Sequence, residues 1–369
     1  MNNSDLKLFV EYLLKKNYTV YSPVKESGRI VVRQITDSRK FSLVKERPLY
    51  SFKNFLLPNR KTIFSTLGGQ DKNNNDQKMI PKQVLFGITV FDLRAVALLS
   101  QVFEKDPYYQ DIISQTIFIG QSPVPEENSF YEKYEENILE HFKFDIFIES
   151  RSDQKDFRIF TGSKHGQRML NDFGYDDFEH IEYAGAIPEE GLSDFHKILR
   201  GKTKLSYGSK IWKDLGKRCL GCDKCTIVCP TCFCFKIFDE NNVFDNSIKR
   251  VRQWDSCFNS EFSEIAGGAK FLKTIEDRIY NWYSHKFVRI PNEYNLPGCV
   301  GCGRCADVCP AGINIKDEIF KIINFKANPP QRLASIAKRG ERTRRNGEKT
   351  KTEIKNSKKI KSSLRNFSV

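Results

Sequence analysis

The positions of the cysteines constrain this chain more than any other feature of its sequence. All 11 cysteines lie between Cys219 and Cys309, so the first 218 residues contain none. Clustered cysteines of this kind indicate metal or cluster ligation rather than the disulfide framework of a small secreted domain. Eight of them form two copies of the pattern C-x2-C-x2-C-x3-C-P, which begin 80 residues apart: Cys219, Cys222, Cys225 and Cys229 before Pro230, then Cys299, Cys302, Cys305 and Cys309 before Pro310.

Each copy has the spacing that binds a [4Fe–4S] cluster. In two-cluster proteins with this run, three cysteines ligate one cluster and the fourth ligates the other cluster. Zinc, which C-x2-C pairs also bind, is the alternative, but zinc does not need the third cysteine of each copy. We therefore predict two [4Fe–4S] clusters, no catalytic residue, and crossed ligand sets: Cys219, Cys222, Cys225 and Cys309 for one cluster, Cys299, Cys302, Cys305 and Cys229 for the other.

Three cysteines remain outside these sets, namely Cys232, Cys234 and Cys257. If residues 230–235 are extended, Cys232 and Cys234 share one face of the segment. A third [4Fe–4S] cluster would need four thiolates, and only three cysteines remain. We therefore expect buried structural thiols here, with a third cluster as the alternative. Four cationic side chains also lie beside the motifs: Lys217, Arg218, Lys224 and Arg304. They either raise the reduction potential of the clusters or face solvent, where water and salt screen their charge.

The net charge of +14 comes mainly from the end of the chain. Residues 331–369 hold 13 Lys and Arg against three Glu, with few apolar residues between them. Such a segment cannot bury enough apolar surface to offset the conformational entropy that it would lose on ordering. We therefore expect a disordered basic tail at 329–369. Docking of the tail to an acidic partner or surface is the alternative. No long apolar run or signal peptide is found, which predicts a cytoplasmic protein without a membrane partner.

The first half of the chain alternates between strand and helix patterns. Residues 84–90, 116–119 and 145–149 are predicted strands, and residues 92–103 and 130–142 are predicted helices, the first of them capped by Asp92. Further predictions are a strand at 41–44 and a helix at 262–285. The expected fold is α+β: an N-terminal α/β domain at 1–208, a mainly helical dicluster ferredoxin-like domain at 209–328, and the tail.

Several segments of the chain match the motifs of a known family. They are Cys229-Pro-Thr-Cys232-Phe-Cys234-Phe, Trp254-Asp-Ser-Cys257, Gly267-Gly268 with Phe271, and Cys299-Val-Gly-Cys302-Gly-Arg-Cys305, with weaker support from residues 51–58, 87–93 and 106–109. In these segments the sequence resembles the dicluster electron-transfer subunit of cytoplasmic sulfhydrogenases (the beta subunit) and the equivalent subunit of anaerobic sulfite reductase. Members of this family often have cysteine where this chain has Phe91, so no ligand is implied there.

The resemblance implies a subunit that conducts electrons between two partners. One would be a flavoprotein that binds FAD and NAD(P)H, and the other a catalytic subunit of hydrogenase or sulfite reductase type. The chain has no nucleotide-binding glycine motif after a strand, no P-loop, no H-E-x-x-H and no nucleophile elbow, which agrees with a non-catalytic role. A self-sufficient reductase with a substrate site in the N-terminal domain is the alternative, and nucleic-acid binding, suggested only by the tail, is not expected.

Overall fold

The computed structural model describes residues 1–67, 70–71, 81–122, 126–130, 136–150, 156–187, 191–242, 244 and 246–326. The strands are β1 (Thr19–Glu26), β2 (Arg29–Ile35), β3 (Arg60–Leu67), β4 (Gln70–Asp71), β5 (Gln83–Thr89), β6 (Thr116–Gln121), β7 (Ile146–Ser150), β8 (Phe157–Thr161), β9 (Glu179–His180), β10 (Phe235–Asn242) and β11 (Ser247–Trp254). The basic tail predicted at 329–369 lies outside the described residues, and so does part of the helix predicted at 130–142.

The helices alternate with these strands and then dominate the second half of the described chain. They are α1 (Asn3–Lys15), α2 (Lys53–Leu56), α3 (Val90–Val102), α4 (Pro107–Ser114), α5 (Lys164–Phe173), α6 (Asp194–Leu205), α7 (Lys210–Arg218), α8 (Lys224–Ile227), α9 (Ile275–Ser284), α10 (Ile290–Tyr294), α11 (Arg304–Asp307) and α12 (Ile315–Ile323). Single turns of 3-10 helix span Ser38–Lys40 and Glu136–His141, and a π-helical turn spans His285–Arg289. Among the described residues, no helix has the length and apolar character needed to cross a membrane.

A seven-stranded sheet organises the N-terminal half in the order β2-β1-β5-β6-β7-β8-β9. Four neighbouring strands of this sheet, β1, β5, β6 and β7, run parallel to one another. Every residue of β5 and β6 is buried, as expected for parallel strands covered on both faces. Helices α1 and α5 pack on one face, and α3 and α4 pack on the other. The α/β layer that the sequence predicts is therefore present.

A second, four-stranded sheet joins the two halves of the chain. Its order is β10-β11-β3-β4, and all its strand pairs are antiparallel. Strand β3 comes from the N-terminal half, whereas β10 and β11 lie between the two cysteine motifs. The region after residue 208 is consequently not wholly helical, and the predicted domain boundary at 208 stays a prediction.

The helices around the motifs share one apolar core. Leu199 of α6, Trp212 of α7, Tyr283 of α9 and Ile322 of α12 are all fully or almost fully buried in it. Half-buried cysteines from both motifs pack against this core: Cys219, Cys225, Cys299 and Cys305. The core thus fixes the two motifs relative to each other, and α6, from before residue 208, is part of it.

Candidate iron–sulfur site

The two motifs fold into loops with the same backbone shape. In the first loop Gly221 and Asp223 have φ values of 62° and 63°, and in the second Gly301 and Gly303 have values of 70° and 76°. Each loop then enters a single helical turn, α8 in the first and α11 in the second. Backbone N–H groups reach the sulfurs: Gly221 donates to Cys219 Sγ at 3.4 Å, and Ile313 donates to Cys309 Sγ at 3.3 Å.

The loops enclose two neighbouring cavities. The first contains about 600 Å³ of space, and its walls include Cys219, Cys222, Cys225, Cys305 and Cys309. The second contains about 310 Å³, and its walls include Cys229, Cys299, Cys302 and Cys305. Cys305 lies between the two cavities. Each cavity therefore collects three cysteines from one motif and the last cysteine of the other motif.

These donor sets suit iron–sulfur clusters. A [4Fe–4S] cluster takes four thiolates, and each cavity offers the four that the motif spacing predicts. In the part of the chain that the structure describes, no group of three or more His, Cys, Asp or Glu side chains is arranged to bind a single metal ion. The residues present thus fit the cofactor by number and by donor chemistry.

The two loops differ sharply in exposure although their sequences are alike. Leu220 of the first loop is 66% exposed, whereas Val300, at the equivalent position of the second, is 3% exposed. Cys222 is exposed, and its equivalent Cys302 is buried. One cavity therefore opens towards solvent, and the other is enclosed within the protein.

Elements of the N-terminal half cover the second loop. Phe91 and Ala95 of α3 form an apolar cluster with Val300 and Cys302. The backbone N–H of Phe130 donates to the Gly301 carbonyl at 2.8 Å. Phe91, where members of the resembling family often have cysteine, thus lies beside this loop as an apolar cover.

An ion pair links α3 to the second loop. Arg304, which is fully buried, donates from Nη1 and Nη2 to the two carboxylate oxygens of Asp92, both at 2.8 Å, and from Nε to the Pro48 carbonyl at 2.9 Å. The prediction that Asp92 caps its helix is wrong, because α3 begins at Val90 and the Asp92 carboxylate binds the guanidinium instead. The alternative that the four cations beside the motifs face solvent is also wrong for Arg304, whereas Lys217, Arg218 and Lys224 are exposed.

Two buried lysines, which the sequence analysis missed, lie beside Cys229. Lys286 Nζ donates to Cys229 Sγ at 3.2 Å, and Lys53 Nζ donates to the Cys232 carbonyl at 2.9 Å. Burial lowers the pKa of Lys53, against the opposing effect of nearby thiolates. Burial also acts to lower the pKa of Lys286, but the nearby sulfurs of Cys229 and Cys232 outweigh it and leave that pKa well above its usual value. The sequence feature that could have indicated a buried Lys53 is its position between the apolar residues Phe52 and Phe55.

The thiols respond to these surroundings in two ways. Burial raises the pKa of Cys225, Cys305 and Cys299, in the last case to about 12. The pKa of Cys229 is instead well below that of an ordinary thiol, because Cys232 donates a hydrogen bond to it and, despite its burial, the Lys286 ammonium is close. These contacts favour the thiolate form of Cys229, which is the form that ligates iron.

The three cysteines outside the predicted ligand sets lie near this group. Cys232 lies close enough to Cys229, and Cys257 close enough to Cys234, for each pair to affect the pKa of its members. Cys257 is buried, and Cys232 and Cys234 are half-buried. Burial of Cys257 agrees with a structural thiol, and the roles of all three stay predictions.

Comparison with known proteins agrees with this site. Residues 218–313 match the family model described as a 4Fe-4S dicluster domain. The chain is thus an iron–sulfur protein of the class that holds two [4Fe–4S] clusters. It is also 29% identical over 341 residues to Sulfhydrogenase 2 subunit beta of Pyrococcus furiosus, a match that covers 85% of this chain and 98% of the relative. The chain is thus similar to this beta subunit over most of both sequences, and its dicluster match lies at residues 218–313. No solved structure matches it.

Proposed function

We propose that this protein relays electrons between a flavoprotein subunit that exchanges electrons with NAD(P)H and a catalytic subunit of hydrogenase or sulfite reductase type. The observation that carries the proposal is the arrangement of the cysteines. Two adjacent cavities, which share Cys305 as a wall, are each lined by at least four cysteines, and this supports one cluster in each. The name of the relative supports a hydrogenase as the catalytic partner.

The clusters supply one-electron chemistry, and the protein supplies the path. The first cavity opens at the surface, where an electron can be exchanged with a partner. The second is covered by α3 and by residues 126–130, which keep water away from it. Clusters held in the two cavities would be neighbours, because Cys305 lines both cavities, and would supply a path for single electrons within the helical core.

The crossed ligand sets are tested by single cysteine-to-serine substitutions. The wild-type protein, reconstituted without oxygen, should contain about eight irons per chain. Loss of one ligand should weaken one of two electron paramagnetic resonance (EPR) signals. We expect Cys309→Ser to affect the same signal as Cys222→Ser, and Cys229→Ser to affect the same signal as Cys302→Ser.

The control lies within this set of four variants, because uncrossed ligation would group them differently. Cys309→Ser would then behave like Cys302→Ser, and the proposed ligand sets would be rejected. A wild-type sample with about two metals per chain, mainly zinc, would reject the iron–sulfur assignment as a whole.

Solvent exposure predicts an order of iron loss. A water-soluble iron chelator should remove about four of the eight irons quickly and the rest slowly, because the first loop is exposed at Leu220 and Cys222 whereas the second is buried at Val300 and Cys302. The EPR signal lost first should be the one that Cys222→Ser affects. Equal rates of loss from both clusters would contradict the proposed surface position of the first cluster.

The partners are tested on the native complex. Subunits that co-purify with the chain should include a flavoprotein and a hydrogenase-type or sulfite-reductase-type subunit. NAD(P)H should reduce the clusters only when the flavoprotein is present. Reduction of the isolated chain by NAD(P)H, or turnover of substrate by it, would favour a self-sufficient reductase instead.

A further inference from the structure

Two ammonium groups are buried on either side of Cys229. Lys286 is 3% exposed and Lys53 is 5% exposed. The acceptors of their hydrogen bonds are a sulfur, a hydroxyl and backbone carbonyls rather than carboxylates. Burying an ammonium ion away from water costs several kcal/mol unless an anion compensates it. The anions within reach of these lysines are the cysteine sulfurs.

All three N–H groups of the Lys286 ammonium have an acceptor. Besides Cys229 Sγ, Nζ donates to Thr231 Oγ1 at 2.9 Å and to the Gly298 carbonyl at 3.2 Å. Thr231 Oγ1 in turn donates to the Gly298 carbonyl at 2.8 Å. An ammonium group has three donors, so Lys286 is held in one position with one N–H directed at the sulfur.

The backbone on both sides is shaped around Lys286. The residue lies in the π-helical turn His285–Arg289, a local irregularity that is often found at functional sites. A Cβ atom at Gly298 would lie 2.4 Å from the Lys286 carbonyl oxygen, so only glycine allows this approach. These features keep the ammonium group beside Cys229.

We propose that Lys286 compensates the charge of the Cys229 thiolate and thereby raises the reduction potential of the cluster that Cys229 ligates. This rests on the proposed ligand sets. Reduction adds one electron and hence one negative charge to the cluster, and no bond forms or breaks. Hydrogen bonds to the sulfurs and the net charge of the site both set cluster potentials. A fixed positive charge stabilises the reduced cluster more than the oxidised one.

The other motif provides an internal comparison. Cys309, the equivalent of Cys229, accepts a backbone N–H from Ile313 at 3.3 Å rather than a charged donor. The cation in the first loop, Lys224, is exposed and therefore screened by water and salt. We accordingly expect the enclosed cluster to have the higher potential of the two.

The test is an anaerobic redox titration of the full chain followed by EPR. Lys286→Met removes the charge and the donor, and Lys286→Gln keeps a donor but removes the charge. We expect Lys286→Met to lower the equilibrium constant for reduction of the Cys229-ligated cluster at least tenfold, which is 59 mV for a one-electron couple. Lys286→Gln should produce a smaller shift in the same direction. Lys224→Met, the matched control, should leave both potentials nearly unchanged.

Iron content separates this inference from the function on which it rests. A wild-type protein without about eight irons would refute the ligand sets themselves. Variants at Lys286 that hold the wild-type iron content but keep both potentials would overturn the role of Lys286 alone. Loss of one cluster in both Lys286 variants would also overturn it, because Lys286 would then serve assembly rather than potential.

Discussion

Replacing Asp92 by alanine is expected to destabilise the protein by about 3–5 kcal/mol, the largest effect of any substitution considered for this fold. Asp92 is 2% exposed, and Arg304 is fully buried. Removal of the carboxylate leaves the buried guanidinium without its carboxylate partner, and the Cys302 sulfur is the anionic group that remains near it. The remaining bond from Arg304 Nε to the Pro48 carbonyl is neutral on the acceptor side and does not restore the charge balance.

The comparison that isolates this effect uses a second Arg–Asp pair of the same chemistry. Arg250 and Asp239 form a similar contact at 2.8 Å, but both side chains are about half exposed. Asp239→Ala should therefore destabilise the protein far less than Asp92→Ala, because water screens the exposed pair. Thermal unfolding of the iron-loaded protein without oxygen provides the measurement, and the Asp92 variant should melt several degrees below the Asp239 variant.

A double variant tests whether the uncompensated charge is the cause. Asp92→Leu combined with Arg304→Met removes both charges and keeps apolar volume, so it should recover much of the lost stability. If the double variant melts as low as Asp92→Ala, lost packing rather than a stranded guanidinium explains the result. If Asp92→Ala melts like the wild type, the ion pair does not hold the two halves together.

Gly303→Ala is expected to open the enclosed cavity. Gly303 has a φ of 76°, and a Cβ there would lie 2.5 Å from the carbonyl carbon and oxygen of Asn128. The left-handed conformation alone costs about 1–2 kcal/mol for a residue with a Cβ. The contact with Asn128 must also be relieved, and residues 126–130, which cover the second loop, are the part that can move. The variant should therefore lose iron from the second cluster to a chelator much faster than the wild type does.

The first loop supplies the matched control for this experiment. Asp223 occupies the position equivalent to Gly303 and has a φ of 63°, so a side chain is already present there in the same backbone conformation. Asp223→Ala should leave the slow phase of iron release unchanged. Equal behaviour of the two alanine variants would mean that the Asn128 backbone does not restrict position 303.

The sequence predicted the cofactor and the central sheet because both depend on local patterns. Cysteine spacing identifies the cluster motifs, and the apolar runs at β5 and β6 identify strands buried on both faces. The difference in exposure between the two loops could not be predicted, because it arises from Phe91 and other residues about 200 positions away. The Asp92–Arg304 pair was missed for the same reason.

Two wrong predictions have identifiable physical causes. Residues 41–44 have strand-like side chains, but the Val44 carbonyl accepts a hydrogen bond from Gln121 Nε2 at 2.8 Å instead of pairing with a strand. The helix predicted at 262–285 begins only at Ile275, where Thr274 and Asp277 form a capping box. Upstream, Gly267 and Gly268 have φ values of 91° and 77°, which a right-handed helix does not allow.

The pairing of β3 with β11 has a consequence for biosynthesis. Thr66 of β3 pairs with Ile248 of β11, about 180 residues later in the chain. At roughly 5–20 residues per second, a ribosome delivers the second strand about ten to forty seconds after the first. During that interval the backbone edge of β3 lacks this neighbour, and exposed strand edges can pair with other chains. Newly made protein is thus most open to aggregation before its cysteine-rich half has left the ribosome.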